Sequence, residues 1–159
     1  MVTSARALLR WQLQLADDLL DSAIAPLGWG GHPGVGRAAR AAACYAEALL
    51  CEDVSVNCVL AGGRPLALST WAGRTGASEL PPLAGPIDWP AWARRVELDL
   101  ARLRAYAAAV HAATDAYLAA LPDEAVEPAP ECLLTALLLT SAARRGEIVR
   151  LLRDTDHQR

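Results

Sequence analysis

The sequence predicts an all-α protein that forms a four-helix bundle. Hydrophobic residues make up 53% of the chain but aromatic residues only 5%, and this Ala- and Leu-rich composition favours helices over sheets. Four segments repeat apolar residues at helical spacing, and Pro- or Gly-containing connections separate them. A chain of 159 residues is most simply one domain, residues 1–159, with a long crossover loop between helices two and three.

Helix one is predicted over residues 3–25 and ends at Pro26. Its apolar stripe comprises Leu8, Trp11, Leu15 and Leu19. The glycine-rich segment 27–36 has neither a preceding strand nor the GK[ST] ending of a phosphate-binding loop, so we interpret it as an interhelical connection. His32, within this connection, is expected to be exposed.

Helix two, residues 37–60, is too apolar to have one face in water, and glycines follow its end. At 100° per residue, one of its stripes carries Cys44, Glu47, Cys51 and Cys58. Glu47 is the anomaly, because a carboxylate buried without a partner is very costly. The three cysteines are spaced beyond disulfide reach along the helix axis, so we expect reduced thiols.

Segment 64–87 contains four prolines and little periodicity, and connections of this length usually have a function or form a lid. Trp71 and Arg74 are the residues of this segment best suited to contact another part of the chain or a ligand. Two interpretations remain open for Trp71, which either anchors the loop on the helices or contacts a ligand.

Helix three is predicted over residues 89–121, with Asp88 as its N-cap. Its inward stripe comprises Trp92, Val96, Leu100, Leu103, Ala107, Val110, Thr114, Tyr117 and Leu121. His111 and Asp115 lie four residues apart, and we interpret them as a solvated surface pair rather than an acid–base site.

Helix four is predicted over residues 131–153, after a linker at 122–130 and before a tail, 154–159, that is expected to fray. Its inward stripe comprises Leu133, Ala136, Leu137, Thr140, Arg144, Glu147, Ile148 and Leu151. Polar residues interrupt the middle of this stripe, as Glu47 does on helix two.

Several segments together resemble the DinB-like family, which includes mycothiol-dependent transferases. They are WQLQLADDLL at 11–20, YAEALLCEDVSVNCVLAGGRPL at 45–66, WAGRTG at 71–76, WARRVELDLARLRAYAAAVHAATDAYL at 92–118 and ARRGEIVRLL at 143–152. The resemblance implies a four-helix bundle that often dimerises and holds a divalent metal with three His residues. One of these is on helix two, and two are four residues apart on helix four.

The His triad of the family is missing from this chain. The resemblance places the three ligand positions on Glu47, Thr140 and Arg144, and none of them is His. Arg144 is cationic and accepts no metal bond, but it can satisfy Glu47. We therefore predict that a Glu47–Arg144 ion pair, with Thr140 hydrogen-bonded to it, occupies the space that the family gives to the metal. Bidentate geometry would suit this pair. We expect neither a metal nor another cofactor. A remade site at Cys44, Glu47 and Cys51 is the alternative.

The function predicted from the sequence is small-molecule binding at the former metal position. Glu47, Thr140 and Arg144 would orient the ligand, Trp71 and Arg74 would close over it, and Glu47 is the candidate for proton transfer. Whether the protein is an enzyme stays open. One alternative is a dimeric scaffold whose site has become structural, and another is a thiol-dependent transferase.

Charge and hydropathy limit the partners. The net charge is −3 and no basic face is evident, so we expect no nucleic-acid partner. The sequence shows no export signal, and its longest apolar runs are too short to span a bilayer, so we expect a cytoplasmic protein with no membrane partner. The apolar character of helix two on nearly all sides also suggests a homodimer.

Overall fold

All regular secondary structure in the described part of the chain is helical, apart from one isolated antiparallel bridge between Ala77 and Leu98. The computed structural model describes residues 5–83, 85–122 and 128–156. The helices are α1 (Ala5–Ile24), α2 (Arg37–Asp53), α3 (Trp89–Ala93), α4 (Leu100–Ala120) and α5 (Pro128–Asp156). The all-α prediction is confirmed. Helices α1 and α2 each pack against both α4 and α5.

Helix α1 turns a different face to the core from the one predicted. Its buried residues include Leu13, Asp17, Leu20 and Ile24, whereas Leu8, Trp11, Leu15 and Leu19 are exposed. Both sets repeat at helical spacing, so periodicity alone does not choose between them. The buried face brings three large apolar side chains into the core, and it also carries one carboxylate, Asp17, inward.

The middle of helix α2 is covered on all sides by the rest of the chain. Every residue from 41 to 50 is buried, and a π-helical segment, Val54–Leu60, continues the helix to a turn at Gly62. The turn needs glycine because φ is +68° there. Since one chain already covers this helix, its apolar character does not call for a second copy.

The crossover segment 64–87 is anchored at its start by a buried carboxylate. Asp53, at the end of α2, accepts hydrogen bonds from the backbone N–H groups of Leu66 and Ala67 at 2.8 and 2.9 Å. The Tyr106 hydroxyl donates to the same carboxylate at 2.7 Å, and the Asn57 amide donates at 2.8 Å. The crossover therefore begins as part of the core.

The single third helix predicted over 89–121 is wrong, because the chain leaves the helix between α3 and α4. Asp88 caps α3 through Ala91 as predicted, and Asp99 caps α4 by accepting from the backbone N–H of Arg102. The intervening backbone pairs with the crossover, where Asp99 N–H donates to the Gly76 carbonyl at 2.7 Å. The inward stripe of apolar residues nevertheless continues across the break.

Helix α5 begins at Pro128, three residues before the predicted start. Part of the predicted linker, residues 123–127, lies outside the described residues. Of the tail that was expected to fray, residues 154–156 continue the helix and residues 157–159 lie outside the described residues. Among the described helices, none combines the length and apolar character needed to cross a membrane.

Substitution of Gly76 tests the close packing of the crossover against the start of α4. Its φ is +90°, and an added Cβ would lie 2.6 Å from both the Asp99 carbonyl oxygen and the Leu103 amide nitrogen. Gly76→Ala should therefore lower the free energy of unfolding by roughly 2–4 kcal/mol, from backbone strain and a steric clash. Gly73→Ala, with φ +70° and open space around it, should cost only roughly 1–2 kcal/mol. Chemical denaturation measures both, and equal losses would contradict the close approach.

Candidate functional site

The predicted ion pair between helices α2 and α5 is present. An Nη of Arg144 donates to Oε1 of Glu47 at 2.5 Å. The Glu47 side chain is only 9% exposed and that of Arg144 is 29% exposed. The pair joins residues 97 positions apart in the chain, so it depends on the packing of α2 against α5.

The geometry of the pair differs from a bidentate one. The second Nη of Arg144 donates to Glu147 on the same helix at 2.9 Å, so the guanidinium bridges two carboxylates. Its Nε is buried and has no hydrogen-bond partner among the described residues. The Thr140 hydroxyl donates to the carbonyl of Ala136 within α5 at 2.9 Å, which is not the interaction predicted for it.

A cavity of about 380 Å³ opens beside this ion pair. Its lining residues are Arg40, Ala43, Cys44, Glu47, Trp89, Pro90, Ala93, Arg94, Arg144 and Glu147. Helices α2, α3 and α5 all contribute, so the cavity lies where three elements meet. It is the size of a small-molecule site, with an apolar wall and a few convergent charged groups.

Trp71 and Arg74 lie in the crossover and are not among the lining residues of this cavity. The Trp71 ring packs on Tyr106 of α4 with 5.9 Å between the centroids, and the Arg74 guanidinium lies over Trp71 at 5.3 Å. Of the two interpretations left open for Trp71, the loop anchor fits these contacts. Trp89 is the aromatic residue of the cavity, and it is not among the site residues predicted from the sequence.

Burial controls the protonation of the groups on α2. Loss of solvent raises the pKa of Glu47, and the attraction of Arg144 opposes this without cancelling it. Burial likewise raises the pKa of the Cys44 thiol to about 12 and that of Cys51 to about 11. Among the described residues, Cys44, Glu47 and Cys51 do not bring three ligand atoms within bonding reach of one ion, so the alternative zinc site is not supported by the geometry.

The metal position implied by the DinB-like resemblance does not fit an ion in this chain. A guanidinium lies 2.5 Å from Glu47, the one carboxylate among the three matched residues. A fixed positive charge at that distance opposes a cation, and the Thr140 hydroxyl is engaged within its own helix.

A second polar cluster lies elsewhere in the interior, formed by Asp17 of α1, Glu52 of α2 and His111 of α4. The three side chains offer ligand atoms that lie within 4.8 Å of one another. Nε2 of His111 is 3.8 Å from Asp17 Oδ1 and 4.0 Å from Glu52 Oε2. The Thr114 hydroxyl donates to Oε1 of Glu52 at 2.5 Å.

The environment of this cluster favours neutral carboxyl groups. Burial is the largest cause that raises the pKa of Asp17 to about 9, and the neighbouring Glu52 carboxylate is the next. Burial also raises the pKa of Glu52, against the opposing effect of His111. Two carboxyl groups are thus held close together in a region where neither is well solvated.

The predicted surface pair of His111 and Asp115 is wrong. Asp115 binds Arg10 of α1 through two hydrogen bonds, at 2.5 and 2.7 Å, and accepts a third from Gln14 at 2.8 Å. His111 turns inward toward Asp17 and Glu52. The missed signal was Asp17 itself, which lies on the same helical face as Leu13, Leu20 and Ile24.

All four cysteines are free thiols, as the sequence predicted for three of them. His32, expected to be exposed, is exposed, and its Nδ1 lies 2.8 Å from the Leu98 carbonyl oxygen. Comparison with protein-family models, curated proteins and solved structures found no match to this chain.

Arg144→Met tests the Glu47–Arg144 pair. Because Arg144 is partly exposed, we expect the free energy of unfolding to fall by about 2–3 kcal/mol at pH 7. This is less than the roughly 3–5 kcal/mol typical of breaking a fully buried pair. Without Arg144 the pKa of Glu47 in the folded chain rises further above its unfolded value. The variant's deficit should therefore grow as the pH rises past the folded wild-type pKa of Glu47, which already lies above its ordinary value, toward 7.

Urea denaturation at pH 4.5 and pH 7 measures this difference, and Arg145→Met, at the exposed neighbour, is the matched control. A loss below about 0.5 kcal/mol at pH 7, the range of exposed pairs, would contradict a buried pair.

Thiol alkylation tests the burial of Cys44 and Cys51. Since burial raises their pKa to about 12 and about 11, little thiolate exists at pH 8, and exposed Cys132 should react first. We expect Cys44 and Cys51 to react at least about a hundredfold more slowly than Cys132, as followed by peptide mass spectrometry. All four should react alike in denaturant. Equal rates in the folded chain would contradict the burial.

Proposed function

We propose that this protein binds a small molecule bearing a carboxylate, in the cavity beside Glu47 and Arg144. The observation that best supports this proposal is the cavity of about 380 Å³ between α2, α3 and α5. We further propose that the helices form a four-helix bundle of the DinB-like type, in which an ion pair replaces the family's metal. A cytoplasmic location agrees with four free thiols, since disulfides are rare in that compartment.

The charges around the cavity support an anionic ligand. Arg40, Arg94 and Arg144 contribute three positive charges, against two carboxylates from Glu47 and Glu147. Arg40 and Arg94 are exposed, so their guanidinium groups can reach an incoming carboxylate. Arginine suits this task because its planar fork matches the two oxygens of a carboxylate.

The apolar side of the cavity supports a ligand with an apolar or planar body. Trp89 and Pro90 lie at the start of α3, opposite Ala43 of α2, and Ala93 extends the same wall. Aromatic and aliphatic groups of this kind bury the body of a ligand while charged groups orient it. An aromatic or branched carboxylic acid combines both features.

Glu47 is the proposed group for any proton transfer in this cavity. A tight ion pair alone would keep its pKa low and make it a poor base, but here burial outweighs Arg144 and the pKa is raised. A raised carboxyl pKa brings a general acid or base closer to neutral pH. Binding remains the proposed function, and catalysis is its extension.

A dimeric scaffold is the second candidate, and the exposed face of α1 favours it. Leu8, Trp11, Leu15 and Leu19 form an apolar stripe on the surface, with Trp11 58% exposed. Contiguous apolar surface of this kind is typical of protein contacts. Thiol-dependent transfer, with Arg144 binding the carboxylate of a thiol cofactor, ranks third, since the Arg144 guanidinium beside Glu47 opposes a metal that would activate the cofactor's sulfur.

A panel of small aromatic and aliphatic carboxylic acids tests the proposal. Thermal shift and intrinsic fluorescence, recorded with a chelator present, should show saturable binding and a higher melting temperature for some members. The double variant Arg40→Ala/Arg94→Ala should weaken binding by about 10–100-fold, the value of one or two charge-assisted hydrogen bonds. Trp89→Ala should weaken it as well.

Arg145→Ala is the matched control, because this exposed arginine of α5 does not line the cavity. The primary amide of any acid that binds should bind more weakly, because it lacks the negative charge. Failure of every acid to bind at millimolar concentration, or equal affinity of the double variant, would overturn the proposal.

A further inference from the structure

The cluster of Asp17, Glu52 and His111 has the donor atoms of a metal site. It offers two carboxylate oxygens and one imidazole nitrogen from three different helices, α1, α2 and α4. Metal sites in helical bundles are built in this way, from inward-facing side chains of facing helices. An open set of three protein ligands also resembles catalytic rather than structural zinc sites, which retain a position for water.

The distances suit a single ion. Three atoms that all lie within 4.8 Å of one another have a common point no more than about 2.8 Å from each. Transition-metal bonds to carboxylate oxygen and imidazole nitrogen are about 2.0–2.2 Å. Side-chain movements of several tenths of an ångström would therefore bring all three donors into bonding range, without a change in the helices.

Two of the candidate metal-ligand atoms in the cluster are buried without a hydrogen-bond partner. Oδ1 of Asp17 and Nε2 of His111 are both buried, and neither has a hydrogen-bond partner among the described residues. The Asp17 side chain is only 10% exposed. A buried polar atom left unsatisfied costs free energy, so each such atom in a folded protein calls for an explanation. Both atoms belong to the set that would bind one ion.

The groups around the cluster orient it for binding. The Thr114 hydroxyl holds Oε1 of Glu52 at 2.5 Å and leaves Oε2 for His111 or an ion. Such hydrogen bonds from neighbouring residues position metal ligands. The π-helical segment Val54–Leu60 begins two residues after Glu52, and π-helical turns occur frequently at functional sites.

Charge balance identifies the kind of ion. Without an ion, burial favours protonated carboxyl groups here, so a metal would bind by displacing their protons. The two carboxylates and neutral imidazole that result carry two negative charges, which a divalent cation neutralises in the interior. The imidazole favours zinc, iron or manganese over magnesium or calcium, which prefer oxygen ligands alone. The His111 side chain is 19% exposed, so the cluster lies near the surface, although Nε2 itself is buried.

We propose that Asp17, Glu52 and His111 bind one divalent ion of the zinc, iron or manganese class. This site is distinct from the position that the DinB-like resemblance implies, and no residue is shared between the two. It also revises the sequence-based expectation of no metal. The inference does not rest on the proposed function, because Glu47 and Arg144 take no part in it.

Metal uptake by the full-length chain tests the inference. After removal of metals with a chelator, titration with Zn²⁺ and with Mn²⁺ should reach one ion per chain, measured by calorimetry and by elemental analysis after dialysis. Mn²⁺ bound to the protein is also followed by electron paramagnetic resonance, which avoids zinc capture by the four free thiols. The melting temperature should rise with bound metal, and Mg²⁺ should not compete.

Four variants and one matched control assign the site. Asp17→Asn, Glu52→Gln and His111→Gln should each weaken binding at least about a hundredfold, because each removes a ligand. Thr114→Val should weaken it by about 10–100-fold, the effect typical of a residue that positions a ligand. Asp18→Asn changes the exposed carboxylate next to Asp17 and should leave the affinity unchanged.

Two results would overturn the inference. One is a wild-type chain that takes up no Zn²⁺ or Mn²⁺ at a 1:1 ratio, a result that stands even if a variant fails to fold. The other is equal uptake by the wild type and the three ligand variants, which would mean an adventitious ion only. The carboxylate-binding experiment contains a chelator, so its outcome and this one are independent.

Discussion

The acidic side chains buried on helix α2 are the constraint on which the rest of the structure depends. Glu47, Glu52 and Asp53 lie on a helix that the other elements cover, and each requires a partner away from water. Arg144 of α5 forms an ion pair with Glu47. Tyr106 and the crossover backbone donate hydrogen bonds to Asp53. His111 and Asp17 face Glu52. These contacts specify which helices lie beside α2.

The three acids differ in how completely they are satisfied, and this separates structural from functional roles. Asp53 accepts four hydrogen bonds and holds the crossover to the core. Glu47 has one partner and borders a cavity, so it combines an ion pair with access to a ligand. Glu52 belongs to the cluster in which Asp17 Oδ1 and His111 Nε2 have no hydrogen-bond partner among the described residues. Incomplete satisfaction costs stability, and such costs are typical of functional sites.

Part of this arrangement could be predicted from the sequence. The Glu47–Arg144 pair was predictable because both residues interrupt an apolar stripe and because the DinB-like resemblance places both on metal-ligand positions. The Asp17 cluster was not predicted, because apolar residues repeat at helical spacing on two faces of α1 and periodicity does not choose between them. Asp17 lies on the face that the structure buries. The break before Leu100 was also hidden, since Trp92, Val96, Leu100 and Leu103 keep helical spacing across it. There, the N-cap at Asp99 and its backbone pairing with Gly76 decide the structure.

The anchoring of the crossover at Asp53 determines how a ligand can enter. The first residues of the crossover cannot lift away as a lid without breaking hydrogen bonds to a fully buried carboxylate, which is a local unfolding event. The five-residue helix α3, by contrast, lines the cavity and is joined to α4 through non-helical backbone. Trp92 of α3 is nevertheless buried in the core, and its indole N–H donates to the Glu79 carbonyl at 3.1 Å. Both segments are therefore held in place, and a ligand would enter past the exposed side chains of Arg40 and Arg94 without the opening of a lid.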